Sequence, residues 1–389
     1  VTPESDASVP SVFVMPLVLA LVAVALFIAL LTSQLTLILL CISVLTMTAL
    51  AKGWSRTSLF RLSHASEPDR VRLFPGEQLA LRVHVENAKP LPIWVQVSAV
   101  LAPGLHHGTA ASLRKDVGLA PYRTARFTWS VCARRRGVHL LGPFQLKAGD
   151  PLGFFTSTRQ AESHEVIVYP RLIALRPLAL PRREFFGRTG VYSPVDDPSY
   201  VHGIREYQLG RPARSIHWKA SARQARLVEK VREPTARERV LLLIRTAGFD
   251  AIESADSFER SLEAAASLAV QLDRSRYPVG LVTDGRLRGS DMRALPIARS
   301  ASQLATLLEM LARLEPAPVV DPLEALQRSG ALSWAVTLVE FCYADDAPGT
   351  ALQRYLRRRN IPRVRVLCQP GVDRETQRGV YRLEDILDE

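Results

Sequence analysis

Two uncharged apolar stretches sit three residues apart near the start of this chain, and they restrict what its first 51 residues can become. Residues 11–31 (SVFVMPLVLALVAVALFIALL) and 35–51 (LTLILLCISVLTMTALA) hold no Asp, Glu, Lys or Arg. Each is close to the roughly 17–25 residues that cross a bilayer as a helix. Only Thr32, Ser33 and Gln34 lie between them, so the expected form is a tight transmembrane helical hairpin. A cleaved signal peptide would carry a basic segment ahead of its apolar core. Here the preceding tail is acidic, with Glu4 and Asp6. A buried hairpin of a soluble protein is the other reading, and spans without any charge argue against it. Lys52, Arg56 and Arg61 follow the second stretch, whereas the connecting turn carries no charge. The bias of basic residues toward the cytoplasm then predicts that both termini and the following body are cytoplasmic.

All the basic residues lie beyond this head. From residue 52 onward there are 50 basic against 36 acidic residues, a net charge of +14. An anionic inner-leaflet surface beside the body accounts for part of that charge without any nucleic acid. The chain is 47% hydrophobic and 23% charged, which excludes a disordered, collagen-like or coiled-coil chain. Its Cys residues, Cys41, Cys132, Cys342 and Cys368, are scattered with no C-x-x-C pair. That spacing offers neither a disulfide scaffold nor a zinc site, and free thiols suit a reducing compartment.

Within the body the hydrophobic period changes. Leu79–Asn87 and Ile93–Leu101 alternate apolar and polar residues, and Pro/Gly turns separate them from further short runs up to Val168. Short alternating strands at this spacing predict an Ig-like β-sandwich. Residues from about Leu172 to Val231 are rich in Arg, Pro and Gly and weakly periodic. Beyond them the apolar runs RVLLLIRT (239–246), PVGLVTDG (278–285), WAVTLVEFCY (334–343) and RVRVLC (363–368) alternate with helix-like stretches. That alternation predicts a mostly parallel sheet covered on both faces.

Three segments resemble one bacterial family. Arg136-Gly137-Val138-His139-Leu140-Leu141-Gly142-Pro143, followed by Asp150-Pro151-Leu152-Gly153-Phe154-Phe155, is the first. Val168-Tyr169-Pro170 is the second. The longest runs from Ile204-Arg205-Glu206-Tyr207-Gln208-Leu209-Gly210 through Arg214-Ser215-Ile216-His217-Trp218-Lys219-Ala220-Ser221-Ala222-Arg223. Together they resemble the signatures of the DUF-fifty-eight (domain of unknown function) family of membrane-anchored proteins. The resemblance implies a C-terminal domain like that of von Willebrand factor A, and no established activity. It also implies a MoxR-type AAA+ ATPase as partner and, in many genomes, a transglutaminase-like membrane protein nearby. The expected division is a tail (1–10), two transmembrane helices (11–51), a β-sandwich (52–170), the motif region (171–235) and an α/β, Rossmann-like, von Willebrand factor A-like domain (236–389). The expected location is the bacterial inner membrane, as a multi-pass protein.

The motif residues Arg205, Glu206, Tyr207, Gly210, Arg214, His217, Trp218, Lys219, Ser221 and Arg223 admit three readings. As a clamp, Arg205 or Arg214 would pair with Glu206 or Glu229, and Trp218 would pack between the two domains. As a partner site, the basic cluster would bind an acidic segment. As a catalytic pair, His217 would act on Ser221, four residues on along a helix; no G-x-S-x-G turn supports that. Gly210-Arg211 stands where the family has Gly-Asp, which removes a carboxylate.

A von Willebrand A domain holds a divalent cation through D-x-S-x-S after its first strand, because such cations take oxygen ligands. At those positions this chain has Arg245, Ala247 and Phe249, and Asp284 ends the second strand. The site is degenerate, no metal or other cofactor is expected, and an Arg245–Asp284 ion pair is the natural substitute. Arg134-Arg135-Arg136 and Arg357-Arg358-Arg359 have no interleaved aromatics, so no nucleic-acid partner is expected. No phosphate loop or dinucleotide fingerprint is present. The function expected is that of a membrane-tethered adaptor working with a MoxR-type ATPase on a client complex. A hydrolase using His217 and Ser221, or a structural cell-envelope factor, are the alternatives.

Overall fold

The computed structural model describes residues 11–149, 155–176, 178, 196–207, 216–234, 239–300, 302–332, 336–344, 346–371 and 379–388. They fall into two compact units, 1–169 and 170–389.

The first unit opens with helices α1 (Ser11–Leu31) and α2 (Leu35–Ser58). Ser33 turns the chain between them with a positive φ of 51°. Apolar side chains on both helices face outward without protein cover: Leu21, Phe27, Leu39 and Leu50 are all exposed. Surface of this kind is stable against hydrocarbon rather than water. By length and composition α2 is apolar enough to cross a membrane, while the apolar stretch Leu17–Leu31 of α1 is shorter.

The last turns of α2 are polar and docked. Trp54 Nε1 donates to the Pro92 carbonyl at 3.0 Å. Ser58 Oγ donates to the Ala148 carbonyl and Ser157 Oγ to that of Ser55, both at 3.1 Å. Lys89, itself buried, donates to the final carbonyls of the helix, Thr57 (2.8 Å) and Ser58. A cation at a helix C-terminus satisfies orphan carbonyls and complements the dipole.

Ten strands follow: β1 (Leu62–Pro68), β2 (Arg72–Leu73), β3 (Gln78–Asn87), β4 (Ile93–Leu101), β5 (Leu105–His106), β6 (Ser112–Leu119), β7 (Thr124–Ala133), β8 (Gly137–Gly149), β9 (Thr156–Gln160) and β10 (His164–Val168). One sheet has the order β1-β3-β7-β5 and the other β2-β10-β8-β4-β6, with β9 on the side of β8. Alternation along β3 and β4 buries Leu79, Leu81, Val83 and Val85 from one sheet with Val95, Val97 and Ala99 from the other. These share one core with Phe144 and Leu146, which makes the pair a sandwich.

The second unit begins with an antiparallel pair, β11 (Asp196–Glu206) and β12 (Val228–Pro234), between which lies α3 (Trp218–Gln224). The α/β part then runs β13 (Arg239–Ile244), α4 (Ala255–Arg274), β14 (Val279–Thr283), β15 (Gly285–Leu287), β16 (Ala294–Ala298), α5 (Gln303–Arg313), β17 (Leu314–Pro318), α6 (Pro322–Arg328), β18 (Val336–Cys342), α7 (Ala347–Arg358), β19 (Arg363–Leu367), β20 (Val380–Arg382) and α8 (Leu383–Ile386). Its six-stranded sheet has the order β16-β14-β13-β18-β19-β20, and β15 pairs with β17 apart from it. Only β16 runs antiparallel to its neighbour. Every residue of β18 is buried, as are Val240 to Ile244 of β13, because helices cover both faces of a parallel sheet.

Candidate functional site

Two places in the second unit hold the residues singled out from sequence: the β11–α3–β12 segment and the carboxyl ends of β13 and β18.

In the first, the ladder sets Arg205 opposite Glu229 and Glu206 opposite Val228 in backbone register. The Tyr207 amide donates to the Leu227 carbonyl, extending the pairing. Gly210 and Arg214 lie outside the described residues. The helix begins at Trp218, because His217 is its N-cap: the imidazole Nδ1 accepts from the Ala220 amide at 3.2 Å. Ser221 is buried and its hydroxyl bonds both backbone groups of Val228, accepting at 3.0 Å and donating at 3.3 Å. So His217 and Ser221 spend their side chains on backbone groups, the former starting the helix and the latter fastening it to β12. Trp218 lies at the first position of the helix. It is 66% exposed, with Lys219 and Arg223 exposed beside it. An N-terminal helix position next to the cap turns its side chain outward, while Ile216 and Ser221 take the buried places.

The second place is a buried charge cluster. Arg245 follows β13 and is 1% exposed. Its Nη1 lies 3.2 Å from Glu340 Oε1 on β18, and its Nη2 donates to Asp346 Oδ2. Arg363, at the start of β19, binds the other oxygen of Glu340. One fully buried carboxylate is therefore shared by two guanidiniums. Burial alone would lower the Arg245 pKa, but Glu340 and the hydrogen bond to Asp346 outweigh it and raise it. Asp346 also caps α7, its Oδ1 accepting from the Gly349 amide at 2.8 Å. Gly349 has to be small here, since a Cβ would meet Arg245 Nη1 at 2.9 Å.

The expected Arg245–Asp284 ion pair is corrected by this geometry: the partners of Arg245 are Glu340 and Asp346. Asp284 instead accepts from the Thr246 amide (2.7 Å) and hydroxyl (2.9 Å) through Oδ1. Its Oδ2 is buried without a partner, as is Arg245 Nε. Burial pushes the Asp284 pKa up to about 6, against the lowering effect of the Thr246 bonds and of Arg245. Ala247 is partly buried, and Phe249 is buried edge-on against Tyr343 at 5.2 Å.

This donor set does not fit a divalent cation. Two of the three acids at the strand ends are engaged by a guanidinium, and Asp284 offers one oxygen where about six are required. Among the described residues, no group of three His, Cys, Asp or Glu could hold a metal ion. Sequence reasoning missed Glu340, Asp346 and Arg363. The signal for Glu340 was present: a single acid inside the apolar run WAVTLVEFCY must find a cation if the strand is buried.

Residues 203–344 match the family model described as "Protein of unknown function DUF58", which covers the motif and the strands from β13 to β18. The family resemblance read from the motif is thereby shown. The chain is 24% identical over 271 residues to "Uncharacterized protein YeaD" of Bacillus subtilis, covering 67% of this chain and 64% of YeaD. The match thus spans less than two thirds of that relative. Among solved structures, native alpha-2-macroglobulin of E. coli is 17% identical, with 29% of this chain and 7% of that one covered and a TM-score of 0.23. The FixG-related protein of Vibrio parahaemolyticus is 13% identical, with 28% and 96% covered and a TM-score of 0.20. Neither likeness bears on what this chain does.

Proposed function

We propose that this chain, which carries the DUF58 match at residues 203–344, is a membrane-tethered interaction protein that engages its partner through α3. The observation that carries the reading is the exposed Trp218. An exposed Trp flanked by basic residues has the composition of an interface anchor, since Trp and Arg dominate the binding energy of protein interfaces. The helix is also held in place beforehand, by the His217 cap at one end and the Ser221–Val228 bonds near the other. A preorganised anchor loses less entropy on binding than a mobile one. Lys219, Arg223 and Arg226 are exposed around it, which favours an acidic partner surface.

The α/β part reads as a von Willebrand factor A-like domain. In chain order its six sheet strands run 3-2-1-4-5-6, a doubly wound order in which ligands bind at the carboxyl ends of the central strands. Arg245 with Glu340 and Asp346 fills that point, so the domain is read as a recognition scaffold without a cation. α2 is read with α1 as a hairpin that keeps both termini cytoplasmic in a bacterial inner membrane, beside anionic lipid. The partner favoured is a MoxR-type AAA+ ATPase, with a transglutaminase-like membrane protein as a further member of the assembly.

The test is affinity capture of the full chain from membranes, wild type against Trp218→Ala and Lys219→Glu, probed for a MoxR-type ATPase. Retention by the wild type and loss by both variants, with unchanged melting, is the expected result. Equal retention by all three would sink the assignment of α3.

A further inference from the structure

At one edge of the sandwich two strands each have, among the described residues, a neighbour on one side only: β1 pairs with β3, and β9 with β8. Between them runs a groove of about 580 Å³, lined by His64, Ser66 and Glu67 on one wall and Arg159, Gln160 and Glu162 on the other. That volume is in the range of small-ligand sites, roughly 300–1,000 Å³.

The direction of the β1 backbone follows from its fixed points. In an antiparallel ladder the N–H and C=O of successive residues turn alternately toward and away from the partner strand. The Asp69 amide donates to Ala80 on β3. The Leu62 amide and carbonyl turn the other way, to the Leu59 carbonyl and to Arg159 Nη2 at 2.8 Å. Asn87, the register partner of Leu62, agrees, since its amide donates to Arg123 and away from β1. Even-numbered residues of β1 therefore turn their backbone groups from β3, and His64 and Ser66 present theirs along the groove. The open edge is short. Arg159 takes the Leu62 carbonyl at one end, and Pro68 has no N–H at the other.

The side chains of the same two residues lean into the gap between the sheets and are half-buried. Ser66 Oγ is bonded to His164 Nε2 at 2.8 Å. The His64 ring lies 5.6 Å from that of Phe144, and its Nε2 is buried without a partner. Burial lowers the His64 pKa, and the charges that lower it further are Arg159 and His164. Arg159 is thus the cation among the groove's lining residues, while the His64 ring is neutral and its Nε2 is closed off from the groove.

We propose that the β1 edge binds an extended peptide segment as an added strand, with an Asp or Glu side chain directed to Arg159. Strand addition supplies main-chain hydrogen bonds, and a pocket for an alternate side chain supplies selectivity. The four backbone groups of His64 and Ser66 limit the engaged stretch to a few residues. Glu67 and Glu162 at the rim disfavour a run of acids, so one central carboxylate flanked by neutral residues fits best.

The probe is the fluorescein-labelled peptide Thr-Val-Glu-Val-Thr-amide, titrated onto the full chain in nanodiscs. Its Glu→Lys counterpart and a version with every backbone N–H methylated are run beside it. The Glu peptide is expected to bind at least tenfold tighter than the Lys peptide, and the methylated peptide not at all. Amide exchange in 62–68 should slow on binding. Ser66→Pro removes an outward N–H, together with the Ser66–His164 bond, and should abolish binding while the chain stays folded; Arg159→Gln should bring the Glu and Lys peptides together. No binding of the Glu peptide, equal binding of Glu and Lys peptides, or full binding of the methylated peptide would each overturn the proposal. The methylated peptide keeps the test decisive even if Ser66→Pro does not fold.

Discussion

At the scale of single residues, exposure and partner count separate side chains that look alike in the motif. Trp218 touches mostly water, so Trp218→Ala should change stability by no more than about 0.5 kcal/mol. Ser221 bonds both backbone groups of Val228 in a buried place, and Ser221→Ala should cost about 1–3 kcal/mol. Thermal melts of the two variants would rank them in that order. Arg245→Leu takes the cation from Asp346 and leaves Glu340 with Arg363 alone, and breaking a buried pair by removing one partner costs about 3–5 kcal/mol. Asp284 adds a pH dependence. Its folded pKa, raised to about 6, lies above its unfolded value near 4. Between those values the folded state binds more protons, so the contribution of Asp284 is full below about pH 4 and is lost as pH rises through about 6. The melting-temperature difference between wild type and Asp284→Asn, followed from pH 4 to 7, should fall steadily. A flat difference would mean that Asp284 is solvated.

At the scale of elements, what was legible was whatever carries its own period. The apolar runs gave the central strands close to their observed bounds: RVLLLI became β13, and VTLVEFC within WAVTLVEFCY became β18. Strands β3 and β4 follow the alternation read from Leu79–Asn87 and Ile93–Leu101. By contrast, β11 and β12 were not legible. Their residues, DDPSYVHGIRE and VEKVREP, are polar and carry no clean period, so only the ladder between them makes them strands. α2 likewise runs past the apolar end at Ala51 to Ser58, because the docked Trp54, Ser55 and Ser58 and the cap from Lys89 hold its polar turns. Lys89→Met should release that end. The expected outcome is faster amide exchange over 55–60 in the full chain, with exchange in β3 and β7 unchanged.

At the scale of the whole molecule, the proposed topology predicts that reporter fusions at Glu389 and near the N-terminus both report the cytoplasm. Lys52, Arg56 and Arg61 after α2 carry that expectation, and a periplasmic signal from the C-terminal fusion would overturn it. The sequence by itself determined the features that depend on neighbours along the chain. They are an uncharged apolar head, an alternating β region, buried parallel strands and a motif long enough to resemble that of a known family. Each is written within a few residues, where a side chain's period decides its face. The tertiary structure alone decided which acid meets which base and which aromatic is left in water. Glu340 and Asp346 stand 95 and 101 residues from Arg245, while Asp284, nearer in sequence, pairs with Thr246. Strand order sets those distances: β18 lies beside β13 in the sheet, and α7 follows it directly. A buried charge then takes the counter-charge that the sheet brings within reach, whatever its place in the sequence.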